Sequence, residues 1–274
     1  MEFEGFYDLS GQVGVLTGGA GVLCSTMARG LAACGARIVV LDIDLAGAQA
    51  VAAQLCHTNT EAVAVGCDVL DKDHLREAAR TVITAFGGVD FLINGAGGNK
   101  AEATTSHELA FFDLSPDAIR WVFELNCLGT ILPCQVFGEH MAEQGRGRIV
   151  NISSMAALRP LTRTVAYSPA KAAVSNFTQW LAVHMSREYS PEIRVNAIAP
   201  GFFVTEQNRY LLVDQETGQF TERGQAIIDH TPMARLGDPE ELVGTVVWLL
   251  SSRASFVHGA VIPVDGGFSA FSGV

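Results

Sequence analysis

Tyr167 stands four residues before Lys171 in the run Tyr167-Ser-Pro-Ala-Lys171. In a helix this spacing puts a phenol and an ammonium on one face. Pro169 falls in the first turn, where its missing N–H does little harm. A free phenol titrates near 10. One ammonium about 4 Å away contributes on the order of 4 kcal/mol at an effective dielectric of 20. That is about the size needed to poise a tyrosine as a general acid/base near neutrality. Only three lysines occur, Lys72, Lys100 and Lys171, so the pairing uses a scarce residue. Upstream, Asn151-Ile-Ser-Ser154 ends an apolar run and offers the Ser154 hydroxyl from a neighbouring strand tip, placed to hydrogen-bond a reacting oxygen.

A second group of residues suits a phosphate. Thr17-Gly18-Gly19-Ala20-Gly21-Val22-Leu23-Cys24 joins a β-branched run to an apolar helical pattern. Glycines there let the backbone approach a pyrophosphate, and the helix start supplies N–H donors and positive dipole. A plain tight turn would use the same glycines. Asp42, closing Ile38-Val-Val-Leu-Asp42, stands about 20 residues on, where an acid reads ribose hydroxyls and repels the 2′-phosphate of NADP. Asp44 is less well placed. Asp68 and Val69 after one further run, and Asn94-Gly95-Ala96-Gly97 after the next, put small or polar residues at strand ends where a flat cofactor would lie. The expected cofactor is NAD.

These residues need a frame. Val13–Thr17, Arg37–Asp42, Ala62–Cys67, Phe91–Asn94, Arg148–Ser153, Ile193–Ile198 and Ala260–Val264 read as strands, apolar almost throughout as strands covered on both faces must be. Between them Leu23–Cys34, Leu45–Cys56, Asp71–Phe86, Pro116–Gln144, Thr164–Tyr189 and Pro239–Leu250 carry helical spacing. The alternation predicts an α/β fold, a doubly wound (Rossmann) parallel sheet of about seven strands with helices on both faces. No linker or change of composition divides residues 1–274, so one domain is expected. Two long connections, about 95–115 and 201–238, leave the carboxyl ends of strands, where such sheets bind ligands.

Composition narrows the class. Hydrophobic residues make up 49% and charged ones 17%, ample for a buried core and contrary to disorder. A net charge of −11 argues against a nucleic-acid footprint, which needs clustered Lys and Arg. Six cysteines form no C-x-x-C pair and seven histidines are scattered, so no metal site is expected. No run of about 18 apolar residues predicts a membrane span. The acidic start, Met-Glu-Phe-Glu-Gly, is unlike a basic secretory signal, and a cytoplasmic protein is expected.

The Thr17-Gly18 turn, Asn94-Gly-Ala-Gly97, Asn126, Ser154, Tyr167-x-x-x-Lys171 and Pro200-Gly201 resemble, in order and spacing, the short-chain dehydrogenase/reductase superfamily. The resemblance runs from about residue 10 to the end. It implies a catalytic tetrad of Asn126, Ser154, Tyr167 and Lys171, with Asn126 holding a water that links Lys171 to solvent. It further implies that Tyr167 and Lys171 also touch the cofactor, and that Thr205 in Pro200-Gly-Phe-Phe-Val-Thr205 holds the nicotinamide carboxamide. The family usually has glycines where this chain has Val22 and Cys24, with one glycine displaced to Gly21, so Cys24 is expected to allow close helix–phosphate packing with a larger side chain.

Asn94-Gly-Ala-Gly-Gly-Asn-Lys100, Pro133-Cys-Gln-Val-Phe-Gly138, Ser175-Asn-Phe-Thr-Gln-Trp-Leu181, Ala199-Pro-Gly-Phe-Phe-Val-Thr-Glu-Gln-Asn-Arg209 and Val264–Val274 are similar to a narrower subgroup, D-mannonate oxidoreductase or fructuronate reductase. That resemblance implies a sugar-acid substrate handled with NAD. A uronate carboxylate needs a cation, and Lys100, Arg159, Arg163 and Arg209 are candidates, with Arg163 preferred because it precedes Tyr167 by four residues. Asn99 and Gln207 could read sugar hydroxyls. The aromatic group Phe111, Phe112, Trp121, Phe123 and Phe137 reads as core or subunit contact. The rivals are a dehydrogenase of a neutral polyol, a gluconate-like acid or another secondary alcohol, and a non-catalytic NAD-binding scaffold. The family resemblance implies a homo-oligomer, with a tetramer favoured.

Overall fold

Each strand of the sheet is short, β-branched and apolar, so each gains by being covered on both faces. The computed structural model describes residues 7–205, 209–214 and 217–273. Its strands are β1 (Val13–Thr17), β2 (Arg37–Asp42), β3 (Ala62–Gly66), β4 (Phe91–Asn94), β5 (Gly147–Ile152), β6 (Ile193–Pro200) and β7 (Val261–Val264). They form one parallel sheet in the order β3-β2-β1-β4-β5-β6-β7. The chain order reverses between β1 and β4, the switch point at which such sheets bind ligands beyond their carboxyl ends. All five residues of β1 are buried.

The helices are α1 (Val22–Ala33), α2 (Leu45–Cys56), α3 (Lys72–Phe86), α4 (Pro116–Phe123), α5 (Gly129–Gln144), α6 (Tyr167–Glu188), α7 (Arg209–Leu212), α8 (Glu222–His230) and α9 (Val243–Leu250). One core cluster joins α1, α2 and α9 to one face of the sheet, through Met27, Leu31, Leu55 and Val246 among others. The other joins α3, α5 and α6 to the opposite face, through Leu75, Val82, Phe137 and Leu181. Helix starts follow cap chemistry. The Asp44 carboxylate accepts from Gly47 N, the Asp71 carboxylate from Asp73 N and His74 N, and the Ser115 hydroxyl from Ala118 N. Among the described residues no helix is long and apolar enough to cross a membrane.

Three features differ from the sequence expectation. The segment expected as one helix, Pro116–Gln144, is broken by a π-helical turn over Glu124–Leu128, of the kind often found at functional sites. The connection 201–238 carries α7 and α8. The five aromatics do not form one group: Phe137 is fully buried, Phe111 and Phe112 are exposed, and Trp121 turns toward Lys100.

Candidate active site

The phosphate turn is tied to both neighbouring strands. Thr17 is buried, and its hydroxyl accepts from Gly95 N at 3.1 Å and Ala96 N at 3.3 Å. Gly19 N donates to Leu41 O at 3.0 Å, and Ala20 N to the Asp42 carboxylate at 3.0 Å. Gly18 has φ +63°, and a Cβ there would lie 2.8 Å from the Ala96 backbone, so two reasons demand glycine. Gly21 N closes the turn on Gly18 O at 3.1 Å. α1 then begins at Val22, after Gly21 at its N-cap, with no side-chain cap and no acid in its first turn. Its leading N–H groups, from Val22 and Leu23 onward, suit an external anion.

Asp42 ends β2, and its other oxygen accepts from Asp44 N at 3.0 Å. Asp68 accepts from Leu70 N at 2.9 Å, and Val69 is buried beside it. Asn94 turns its amide inward, donating to Asn151 Oδ1 at 2.8 Å and the Cys134 sulfur at 3.1 Å. It therefore positions the Gly95-Ala96-Gly97 turn from within. Cys24 lies behind the turn: its Sγ sits 2.0 Å from where a Gly95 Cβ would be, and contacts Thr17 O. The bulk expected against phosphate instead fills the space left by Gly95, between α1 and the end of β4. Burial pushes its thiol up to about 12. Gly201 N bonds Val264 O at 2.9 Å next to Pro200 at the end of β6, and Thr205 O accepts from Arg209 N at 2.9 Å.

Two of the four expected tetrad residues, Asn126 and Lys171, flank Gly97. A Cβ on Gly97 would lie 2.7 Å from Asn126 Oδ1 and 3.2 Å from Lys171 Nζ. Asn126, in the π turn, donates to Gly98 O at 2.7 Å and Val122 O at 2.8 Å, and accepts from Gly98 N at 3.3 Å. Its own carbonyl accepts from Thr130 Oγ1. Lys171 is buried and donates to Ile152 O at 2.8 Å, leaving Nζ 5.8 Å from the Tyr167 ring centroid. Tyr167 opens α6, and the Ser154 hydroxyl acts on its phenol.

Electrostatics here are ruled by burial, contrary to the simple charge arithmetic. Burial raises the Tyr167 phenol above its ordinary value, with the Ser154 bond acting the other way. Burial also pulls Lys171 down to about 8, against a smaller upward pull from Cys24. One of the ammonium's three donors goes to the Ile152 carbonyl.

A lysine whose pKa falls on folding costs stability wherever it is charged. That cost is complete below about 8 and is relieved as pH rises toward the ordinary 10.5. Stability of the wild type relative to Lys171→Met should therefore rise across that window by roughly 3 kcal/mol. Denaturant melts on either side of it measure the change, and a pH-independent difference would refute the shift.

The substrate candidates scatter. Asn99 is exposed and donates to Thr104 Oγ1 at 3.0 Å. Arg159 is exposed, its Nε donating to Ser269 O at 3.2 Å. Arg163 is exposed at φ +73°, and its carbonyl accepts from Thr105 N. Arg209 is exposed on α7. Lys100 is half-buried, its ammonium 4.2 Å from the Trp121 ring centroid. Gln207 lies outside the described residues. Sequence reading missed Arg223, half-buried in the first turn of α8, whose pKa burial lowers and the nearby Arg163 charge lowers further. Its signal was Thr221-Glu-Arg223, a helix start with the Thr221 hydroxyl accepting from Gly224 N.

A family model described as enoyl-(acyl carrier protein) reductase matches residues 20–269. The chain belongs to the short-chain dehydrogenase/reductase family. It is an NAD(P)-dependent oxidoreductase. This short-chain dehydrogenase is 45% identical to a solved structure, with NAD bound, of a protein provisionally named D-mannonate oxidoreductase from Haemophilus influenzae. That match covers 100% of both chains with a TM-score of 0.93. An oxidoreductase of Bacillus subtilis is 46% identical over 97% of this chain and 98% of its own. D-threitol dehydrogenase of Mycolicibacterium smegmatis is 33% identical over 96% and 95%.

Proposed function

We propose that this short-chain dehydrogenase interconverts a keto sugar acid and its hydroxy acid with NAD(H), D-fructuronate and D-mannonate first among them. The observation that carries the redox reading is the convergence of Tyr167, Ser154 and Lys171 beside the glycine turns at the carboxyl ends of the strands. When bound, the nicotinamide supplies hydride to the carbonyl carbon in reduction and accepts it in reverse. Tyr167 gives its proton to the carbonyl oxygen, and Ser154 hydrogen-bonds that oxygen as its charge develops. Lys171 passes a proton back to Tyr167, with Asn126 holding the water that connects Lys171 to solvent. Gly18, Gly21, Val22 and Leu23 would hold the pyrophosphate, with Thr17 and Gly19 fixing the turn from within, and Asp42 the ribose. Asp68 and Val69, the Asn94–Gly97 turn and Pro200, Gly201 and Thr205 flank the rest of the cofactor.

Three loops support an acidic substrate. Those after β4, β5 and β6 bring Lys100, Arg163 and Arg223, and none has a carboxylate partner among the described residues. The name of the Haemophilus relative points the same way. The rival is a neutral polyol, favoured by the D-threitol relative. A homotetramer in the cytoplasm completes the reading, supported by the exposed Trp180 and Val183 on α6.

The test compares D-fructuronate with D-fructose, which keeps the ketone and lacks the carboxylate. A charged hydrogen bond is worth about 1.5–3 kcal/mol, so kcat/KM should favour the acid by roughly 10- to 150-fold. Equal efficiency, or activity on neither, would reject the sugar acid and leave the oxidoreductase standing.

A further inference from the structure

Lys100 sits in the loop after β4, two residues past Gly98, and its backbone is fixed there. Its carbonyl accepts from Ala103 N at 3.1 Å and from Thr104 Oγ1 at 2.9 Å. Its side chain does not run out to solvent. The ammonium rests 4.2 Å from the centroid of the Trp121 ring, within the range where the electron-rich face of an indole holds a cation. No carboxylate pairs with it among the described residues, and its three donors cannot all be satisfied by a ring face.

Trp121 has a defined relation to the reaction centre. Its ring edge lies 3.7 Å from where a Gly98 Cβ would be, one residue from Gly97, whose missing side chain leaves room for Asn126 and Lys171. Trp121 and Tyr167 also pack against the same small cluster of Ala103, Ala118, Val122 and Ala166. The other cations are placed differently. Arg159 is engaged by the Ser269 carbonyl, Arg163 and Arg209 are exposed, and Arg223 on α8 faces the like charge of Arg163.

We propose that Lys100, held on the face of Trp121, is the group that recognises the carboxylate of the substrate. The proposal rests on the sugar-acid reading above and narrows it to one cation. Trp121 is a positioning residue: it orients the ammonium toward the pocket without touching the reacting atoms. A flexible lysine loses much rotamer freedom when it binds an anion. The indole face meets part of that cost before substrate arrives, so its loss should appear in KM.

The experiment measures kcat and KM for D-fructuronate and D-fructose in the wild type, Lys100→Met, Trp121→Leu and Trp121→Phe, with NADH binding as the control for folding. Lys100→Met keeps the aliphatic stem and removes the charge. Its kcat/KM on D-fructuronate should fall about 10- to 150-fold, mainly through KM, and by far more than its kcat/KM on D-fructose. Trp121→Leu should raise KM for the acid in the same sense, and Trp121→Phe, which keeps an aromatic face, should recover most of it. A wild-type preference for the acid that survives Lys100→Met overturns the proposal while sparing the sugar-acid reading. A wild type with no preference overturns both. Should Lys100→Met fail to bind NADH, Lys100→Gln is read in the same way.

Discussion

Tyr167→Phe should bind NADH as the wild type does and turn over about 100- to 10,000-fold more slowly, the span that a positioned acid/base contributes. The variant keeps the ring that packs against Ala103, Ala118, Val122 and Ala166. It loses only the hydroxyl, and Ser154 keeps its partner in Ala156 N, from which it accepts at 3.1 Å. Folding should therefore change by about 1 kcal/mol or less. Lys171 acts in the proposed relay through Tyr167, so without the phenol hydroxyl its proton has no path to the carbonyl oxygen. Steady-state rates with fluorescence-detected NADH binding test this, and near-normal turnover would remove Tyr167 from the chemistry.

What the sequence made legible depended on how local each cause was. β1, β2 and β4 have the bounds expected, because short apolar runs there stop at Gly, Asp or Asn and alternate with long amphipathic patterns. The Tyr167–Lys171 spacing was legible for the same reason: both ends lie on one helix. The π turn at Glu124–Leu128 was not, since the phase shift of one widened turn does not stand out in a segment apolar on several faces. α8 was hidden because 201–238 reads as one connection, which concealed Arg223. Placing Cys24 against Gly95 needed the distance between α1 and the end of β4. The direction of the Tyr167 shift needed burial, and burial outweighed a charge argument built on spacing alone.

Asp42→Asn should shift the ratio of kcat/KM for NADH over NADPH toward NADPH by about 100- to 1,000-fold, chiefly by improving NADPH. A carboxylate facing a 2′-phosphate at about 4–5 Å, at an effective dielectric of 20, costs roughly 3–4 kcal/mol per unit charge. Asparagine removes that charge. The choice of variant matters because Asp42 also has a structural role. Its two oxygens accept from Ala20 N and Asp44 N, each at 3.0 Å, pinning the phosphate turn to the end of β2. Asp42→Ala removes both the repulsion and the pin. It should therefore raise KM for both cofactors while eroding the preference, whereas asparagine, with one acceptor oxygen left, keeps part of the turn. The comparison separates two explanations of any NADPH gain. A shift of the NADPH-to-NADH ratio shared by both variants reports charge, and a rise in KM confined to alanine reports the loosened turn. A wild type that already prefers NADPH would show that the carboxylate, held by its two backbone donors, does not face the ribose at all.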